Sequence, residues 1–90
     1  MKVRELLCDE SKWCQGALAF DQQNKIVFWG TKTAIRWCLV GAIFRTYGLS
    51  NPMPFNAICT RLQDGDLEAW NDDKARTFAE VKALVDELDI

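Results

Sequence analysis

AIRWCLVGAIFRTY, residues 34–47, is an apolar run broken only by Arg36, Gly41, Arg45 and Thr46. A helix that is apolar nearly all round has to be enclosed by the rest of the chain. In a chain of 90 residues that makes it the axis of the fold. Thr31 or Thr33 is placed to cap it, and Gly48 to end it. The predicted helix is therefore Thr33–Tyr47. Gly41, in its middle, costs about 1 kcal/mol relative to Ala. Its use is expected to be room for a close neighbour, a Trp ring or the backbone of a hairpin.

The flanks take their assignments from that axis. Upstream, Ala17–Phe20 and Lys25–Trp29 are β-prone runs separated by Asp21-Gln22-Gln23-Asn24. They predict a hairpin, with Asn24 the residue that tolerates a left-handed backbone. Leu18 and Phe20 are set on one face opposite Ile26 and Phe28, with Trp29 outward. Lys2–Cys8 predicts a short helix that ends at Asp9-Glu10-Ser11, followed by Trp13 as an anchor. Downstream, Pro52 or Pro54 is suited to open a helix carrying Phe55, Ile58, Cys59 and Leu62. Asp64-Gly65-Asp66 stops it, Leu67–Trp70 forms at most one turn, and Asn71-Asp72-Asp73 is loop. Thr77-Phe78-Ala79-Glu80 is a capping box before the stripe Phe78, Val81, Leu84, Val85 and Leu88. The expected fold is α+β: one domain over residues 1–90, with four short helices, one β-hairpin and the apolar helix at the centre.

Composition narrows the chemistry. The chain has no histidine, which removes the commonest general base and metal ligand. Cys8, Cys14, Cys38 and Cys59 show no C-x-x-C spacing and read as small packed thiols. An EF-hand loop starting at Asp64 would need Gly at its sixth position and Glu at its twelfth; Ala69 and Ala75 stand there. No glycine-rich phosphate loop is present. No metal, cofactor or catalytic residue is expected. No stretch is long enough to span a bilayer, and the first residues do not read as a signal peptide, so a cytoplasmic location is expected.

The net charge of −2 is unevenly spread. Residues 1–61 carry eight Lys/Arg against four Asp/Glu, a balance of +4; residues 62–90 carry three against nine, a balance of −6. One reading is that the two halves neutralise each other. The other is an acidic face, with Asp64, Asp66, Asp86 and Glu87, offered to a protein partner. The basic residues are scattered, which disfavours nucleic acid. Arg36 reads as a packed stem with a solvated or paired head, or else as an anion binder.

Four fragments occur in order: Trp13-Cys14-Gln15-Gly16-Ala17, Arg36-Trp37-Cys38-Leu39-Val40-Gly41-Ala42, Trp70-Asn71-Asp72, and Arg76-Thr77 with Ala79-Glu80-Val81. Together they resemble an uncharacterised family of small bacterial and phage proteins, a domain of unknown function, with the pattern W-x-Q-G-A, R-W-C-x-x-G-A, W-N-D and R-T-x-x-E-V. The resemblance spans nearly the whole chain and implies a fold, not a reaction. The resemblance implies that relatives often carry Gly where this chain has Asn24 and His where it has Phe78. Asn71 and Asp72 are expected to bond backbone groups, Asp72 to pair with Arg76 or Arg36, and Trp70 and Trp37 to pack over the central helix.

Two functions compete. The first is a small non-catalytic binding or accessory protein; a phage-encoded inhibitor of a host defence system is one instance. The alternative is a ligand-binding or enzymatic domain using a polar cluster of Arg36, Trp70, Asn71, Asp72 and Arg76.

Overall fold

The computed structural model describes all 90 residues. Its elements are α1 (Val3–Leu6), a 3-10 turn (Glu10–Lys12), β1 (Ala19–Phe20), β2 (Arg36–Trp37), α2 (Leu39–Tyr47), α3 (Met53–Leu62), α4 (Leu67–Asp72) and α5 (Phe78–Leu88). The fold is α+β, mostly helical, around the apolar helix α2.

α2 begins five or six residues later than its apolar run suggests. Ala34–Trp37 is extended instead, because its backbone is drawn onto the preceding arm. Ala19 pairs with Trp37 and Phe20 with Arg36 in antiparallel register. Ile35 N–H donates to Phe20 C=O at 2.9 Å, and Cys38 N–H to Leu18 C=O at 3.2 Å. The β-branched Ile35 and the aromatic Trp37 suit extended backbone. The cap is then Cys38, not Thr31 or Thr33: its sulfur accepts from Gly41 N–H at 3.3 Å. From there Leu39, Val40, Ala42 and Ile43 are buried. Each such Leu or Ile contributes roughly 1.5–3 kcal/mol relative to exposure.

The 16–29 arm folds back as expected but pairs differently. Phe20 bridges Ile26, Asp21 N–H donates to Lys25 C=O, and Val27 N–H to Ala19 C=O. Asn24 sits at φ 62°. The regular second strand, however, is β2, with Lys25–Val27 as an outer lane. Ile26 and Phe28 are exposed. Trp29, expected outside, is half-buried against Phe28 and Phe44, with centroids at 4.6 and 5.6 Å. On the other side of β2, Trp13 bridges Trp37 in parallel, and Cys14 N–H donates to Trp37 C=O at 3.1 Å.

Gly41 lies against the arm's backbone. A Cβ there would stand 2.0 Å from the Leu18 carbonyl oxygen, so the close neighbour is the hairpin backbone and no ring. α4 is a fifth helix where one turn and a loop were expected. Asp66 caps it, accepting from Ala69 N–H at 3.0 Å, so the residue expected to stop α3 starts the next helix. α5 carries the capping box as read, Glu80 N–H to Thr77 Oγ1 at 3.3 Å and Thr77 N–H to Glu80 Oε1 at 3.1 Å. Val81, Leu84 and Val85 are buried. The chain ends meet where Arg4 N–H donates to Ile90 C=O.

Candidate functional site

The five residues expected to form one polar cluster separate into three places. Asn71, near the end of α4, is the most buried polar side chain, with no exposed surface. Its Oδ1 accepts from Trp13 Nε1 at 2.7 Å and from Leu39 N–H at 3.0 Å. Its Nδ2 donates to Cys14 C=O at 3.1 Å and to Asp72 Oδ1 at 2.9 Å. Two donors and two acceptor sites make up the whole capacity of an amide side chain, so none is left for a ligand. Leu39 N–H is a free helix-start donor, and Asn71 supplies the acceptor that such donors need.

Asp72 is exposed and carries no ion pair. It accepts from Asn71 and from Gly16 N–H at 3.1 Å. The expected pairing with Arg76 or Arg36 does not occur: Arg76 is held by Glu80 and Trp70 C=O, and Arg36 by Asn24. Gln15 completes that junction, donating through Nε2 to Asn71 C=O at 2.8 Å and Asp73 C=O at 3.0 Å. Beside it, Glu68 and Asp72 line a cleft of about 100 Å³ with Gly16, Ala17 and Cys38.

Arg76 and Trp70 form the second place. The guanidinium carbon lies 3.9 Å from the Trp70 ring centroid. Nε donates to Trp70 C=O at 2.9 Å, and the Arg76 head meets the Glu80 carboxylate at 2.7 Å. This is a strap between the end of α4 and the start of α5.

Arg36 is the third. It reaches Asn24 Oδ1 and lies 5.0 Å from the Phe20 centroid, with no carboxylate partner. It lines an open cleft of about 580 Å³ with Glu10, Trp13, Cys14, Gln15, Phe20 and Asn24. Trp13 and Gln15, missing from the expected cluster, are the residues that join Asn71 to the sheet. Trp13 was legible as an anchor, whereas the place of Gln15 in the first quoted fragment was its only sequence signal.

Cys14 and Cys38 are inert by position. Burial pushes Cys14 up to about 12 and Cys38 up to about 11, and a thiol held protonated is a poor nucleophile. Cys59 is raised in the same direction by desolvation. All four cysteines are free, and Cys8 is exposed.

The expected acidic face divides. Asp86 pairs with Lys82 at 3.1 Å, and Glu87 with Arg61. Asp89, outside the expected set, takes Lys2 at 2.8 Å and Arg4 at 3.1 Å. Asp64 and Asp66 make no ion pair; they accept backbone N–H groups, of Asp66 and Ala69 respectively. No group of acids or cysteines is arranged to hold a metal ion, and no helix is long and apolar enough to cross a membrane.

Residues 1–88 match the model of a family described as a family of unknown function, DUF6197, and the chain belongs to that family. No curated protein and no solved structure matches it.

Proposed function

We propose that this DUF6197 protein is a non-catalytic binding module that docks a basic protein partner on the carboxylates between Asp64 and Asp73. The observation that carries this is the division among its acids. Asp86, Glu87 and Asp89 are neutralised within the chain. Asp64, Asp66, Glu68, Asp72 and Asp73 hold no Lys or Arg, although basic residues outnumber acids in residues 1–61. Unpaired charge of one sign steers a partner of the other sign and sets its orientation. The absence of histidine, the protonated buried thiols and the saturated Asn71 support a role in binding over one in catalysis. A phage-encoded inhibitor that presents carboxylates where a host nuclease expects phosphates is the instance that this charge arrangement suits.

The test is affinity capture with two sets of variants. Asp64→Asn with Glu68→Lys keeps the turn acceptor at position 64 and leaves the fold's hydrogen bonds in place. Asp86→Asn with Glu87→Gln alters the paired acids. The first is expected to lose the captured partner and the second to keep it, with release by salt above about 0.5 M, where screening is short-ranged. Retention by the first pair at wild-type strength overturns the reading.

A further inference from the structure

A second face, opposite in charge and independent of the carboxylates above, is the outer lane of the arm. Lys25–Val27 pairs with β1 on one side only, and Phe28 follows it into a turn closed by Thr31 N–H on its carbonyl. Val27 N–H and Lys25 C=O point toward β1. In antiparallel pairing the intervening groups point the other way: Ile26 N–H, Ile26 C=O and Phe28 N–H have no partner in the fold. The side chains alternate to match. Val27 is half-buried and packs on the core, whereas Ile26 is 71% and Phe28 64% exposed. An open edge with exposed apolar side chains is a template for another strand, and proteins ordinarily cover or blunt such edges.

Charge selects the occupant. From Gly16 to Arg45 the chain carries Lys25, Lys32, Arg36 and Arg45 against a single acid, Asp21. Asp21 is used in the turn, accepting from Gln23 N–H and Lys25 N–H at 2.9 Å each. None of the four cations has a carboxylate partner. Arg36 goes to Asn24, and Arg45 to the carbonyls of Trp29 and Thr31. A second copy of the same edge would bring no free carboxylate to Lys25, since Asp21 is held in its own turn. The geometry points to strand addition at Lys25–Phe28 by an extended acidic peptide segment, its backbone satisfying Ile26 and Phe28, its apolar side chains resting on those two, and its carboxylates facing Lys25.

The experiment uses the full chain and three labelled synthetic peptides: alternating Val and Glu, alternating Val and Lys, and the Val/Glu peptide with a central proline. Fluorescence anisotropy reads binding; amide hydrogen exchange reads position. The Val/Glu peptide is expected to bind and to protect the Ile26 and Phe28 amides. Proline, which removes a ladder donor, weakens it by roughly five- to tenfold, and Val/Lys does not bind. Lys25→Glu, at an exposed side chain, weakens Val/Glu and admits Val/Lys; Phe28→Ser weakens Val/Glu. The proposal is overturned if no peptide binds, if Val/Lys binds as well as Val/Glu, or if protection falls elsewhere. It is equally overturned if these amides become protected with protein concentration alone, as in a dimer, or by an oligothymidylate.

Discussion

At the scale of single residues, Asn71 and Gly41 hold the most. Asn71 joins three segments distant in sequence: α4, the 13–16 stretch and the start of α2. Asn71→Ala leaves Trp13 Nε1 and Leu39 N–H without the acceptor that a fully buried side chain supplied. An orphaned buried polar group costs about 1–3 kcal/mol, so a loss of about 3 kcal/mol or more is expected in urea unfolding. The Trp13 indole N–H should also lose its exchange protection. Gly41→Ala tests the opposite constraint. Helix propensity favours the change by about 1 kcal/mol, but the added methyl meets the Leu18 carbonyl at 2.0 Å. That carbonyl is itself tied to Cys38 N–H, so it has little freedom to retreat. A net destabilisation of about 2 kcal/mol is expected from overpacking, visible as a lower melting temperature; a stabilised variant would show that the arm yields. The crowding at position 41 was legible, since a mid-helix Gly asks for a reason. The hub at Asn71 was legible only as a polar residue in a quoted fragment, because hydrogen bonds across more than fifty residues have no local signature.

At the scale of elements, the capping signals differ in how far they can be trusted. The Thr77/Glu80 box is complete within four residues, and it formed where it was read. Thr77→Ala is expected to cost about 1 kcal/mol, measured by chemical denaturation. Glu80→Ala in the same background should add less than it does alone, because the two side chains bond each other. The start of α2 failed as a local inference. Thr31 and Thr33 are good capping residues, but Ala34–Trp37 gains sheet bonds on both flanks, from Phe20 and Leu18 on one side and Cys14 on the other. Tertiary pairing outweighed intrinsic preference over those residues. The same competition set Trp29 against Phe44 and left Phe28 outside. α4 was missed because six residues show too little periodicity, although Asp66 before Leu67 is an N-cap pattern.

For the whole molecule, the charge asymmetry is partly folded away. Lys2, Arg4 and Arg61 from the basic portion hold Asp89 and Glu87 of the acidic one. Hydrogen bonding from Lys2 lowers the Asp89 pKa, and from Arg61 that of Glu87. Bonds from Thr77 N–H and then Arg76 lower Glu80, and those from Ser11 lower Asp9. A carboxylate depressed in the folded state lends stability that is present above its unfolded pKa and lost as pH falls through its folded one. Stability should therefore hold near neutrality and decline on acidification below about pH 4, the ordinary carboxylate range. Arg61→Gln should flatten that decline, since Glu87 then titrates alike in both states. Thermal melts across that range, with and without the substitution, check the sign; an unchanged slope would mean that the Arg61–Glu87 pair is fully screened by solvent.

What the amino-acid order determined alone is whatever neighbours in sequence settle between themselves. This covers the mostly helical class, the buried stripe of α5 with its capping box, the left-handed turn at Asn24, and the enclosure of residues 39–43. Each rests on spacing within one or two turns. The tertiary structure decided where α2 starts, which strand pairs with β1, that Asn71 is consumed inside the fold, and which acids and backbone edges stay unpaired. Those outcomes depend on segments far apart in the chain competing for the same donors, acceptors and charges, and only their arrangement in space ranks the competitors.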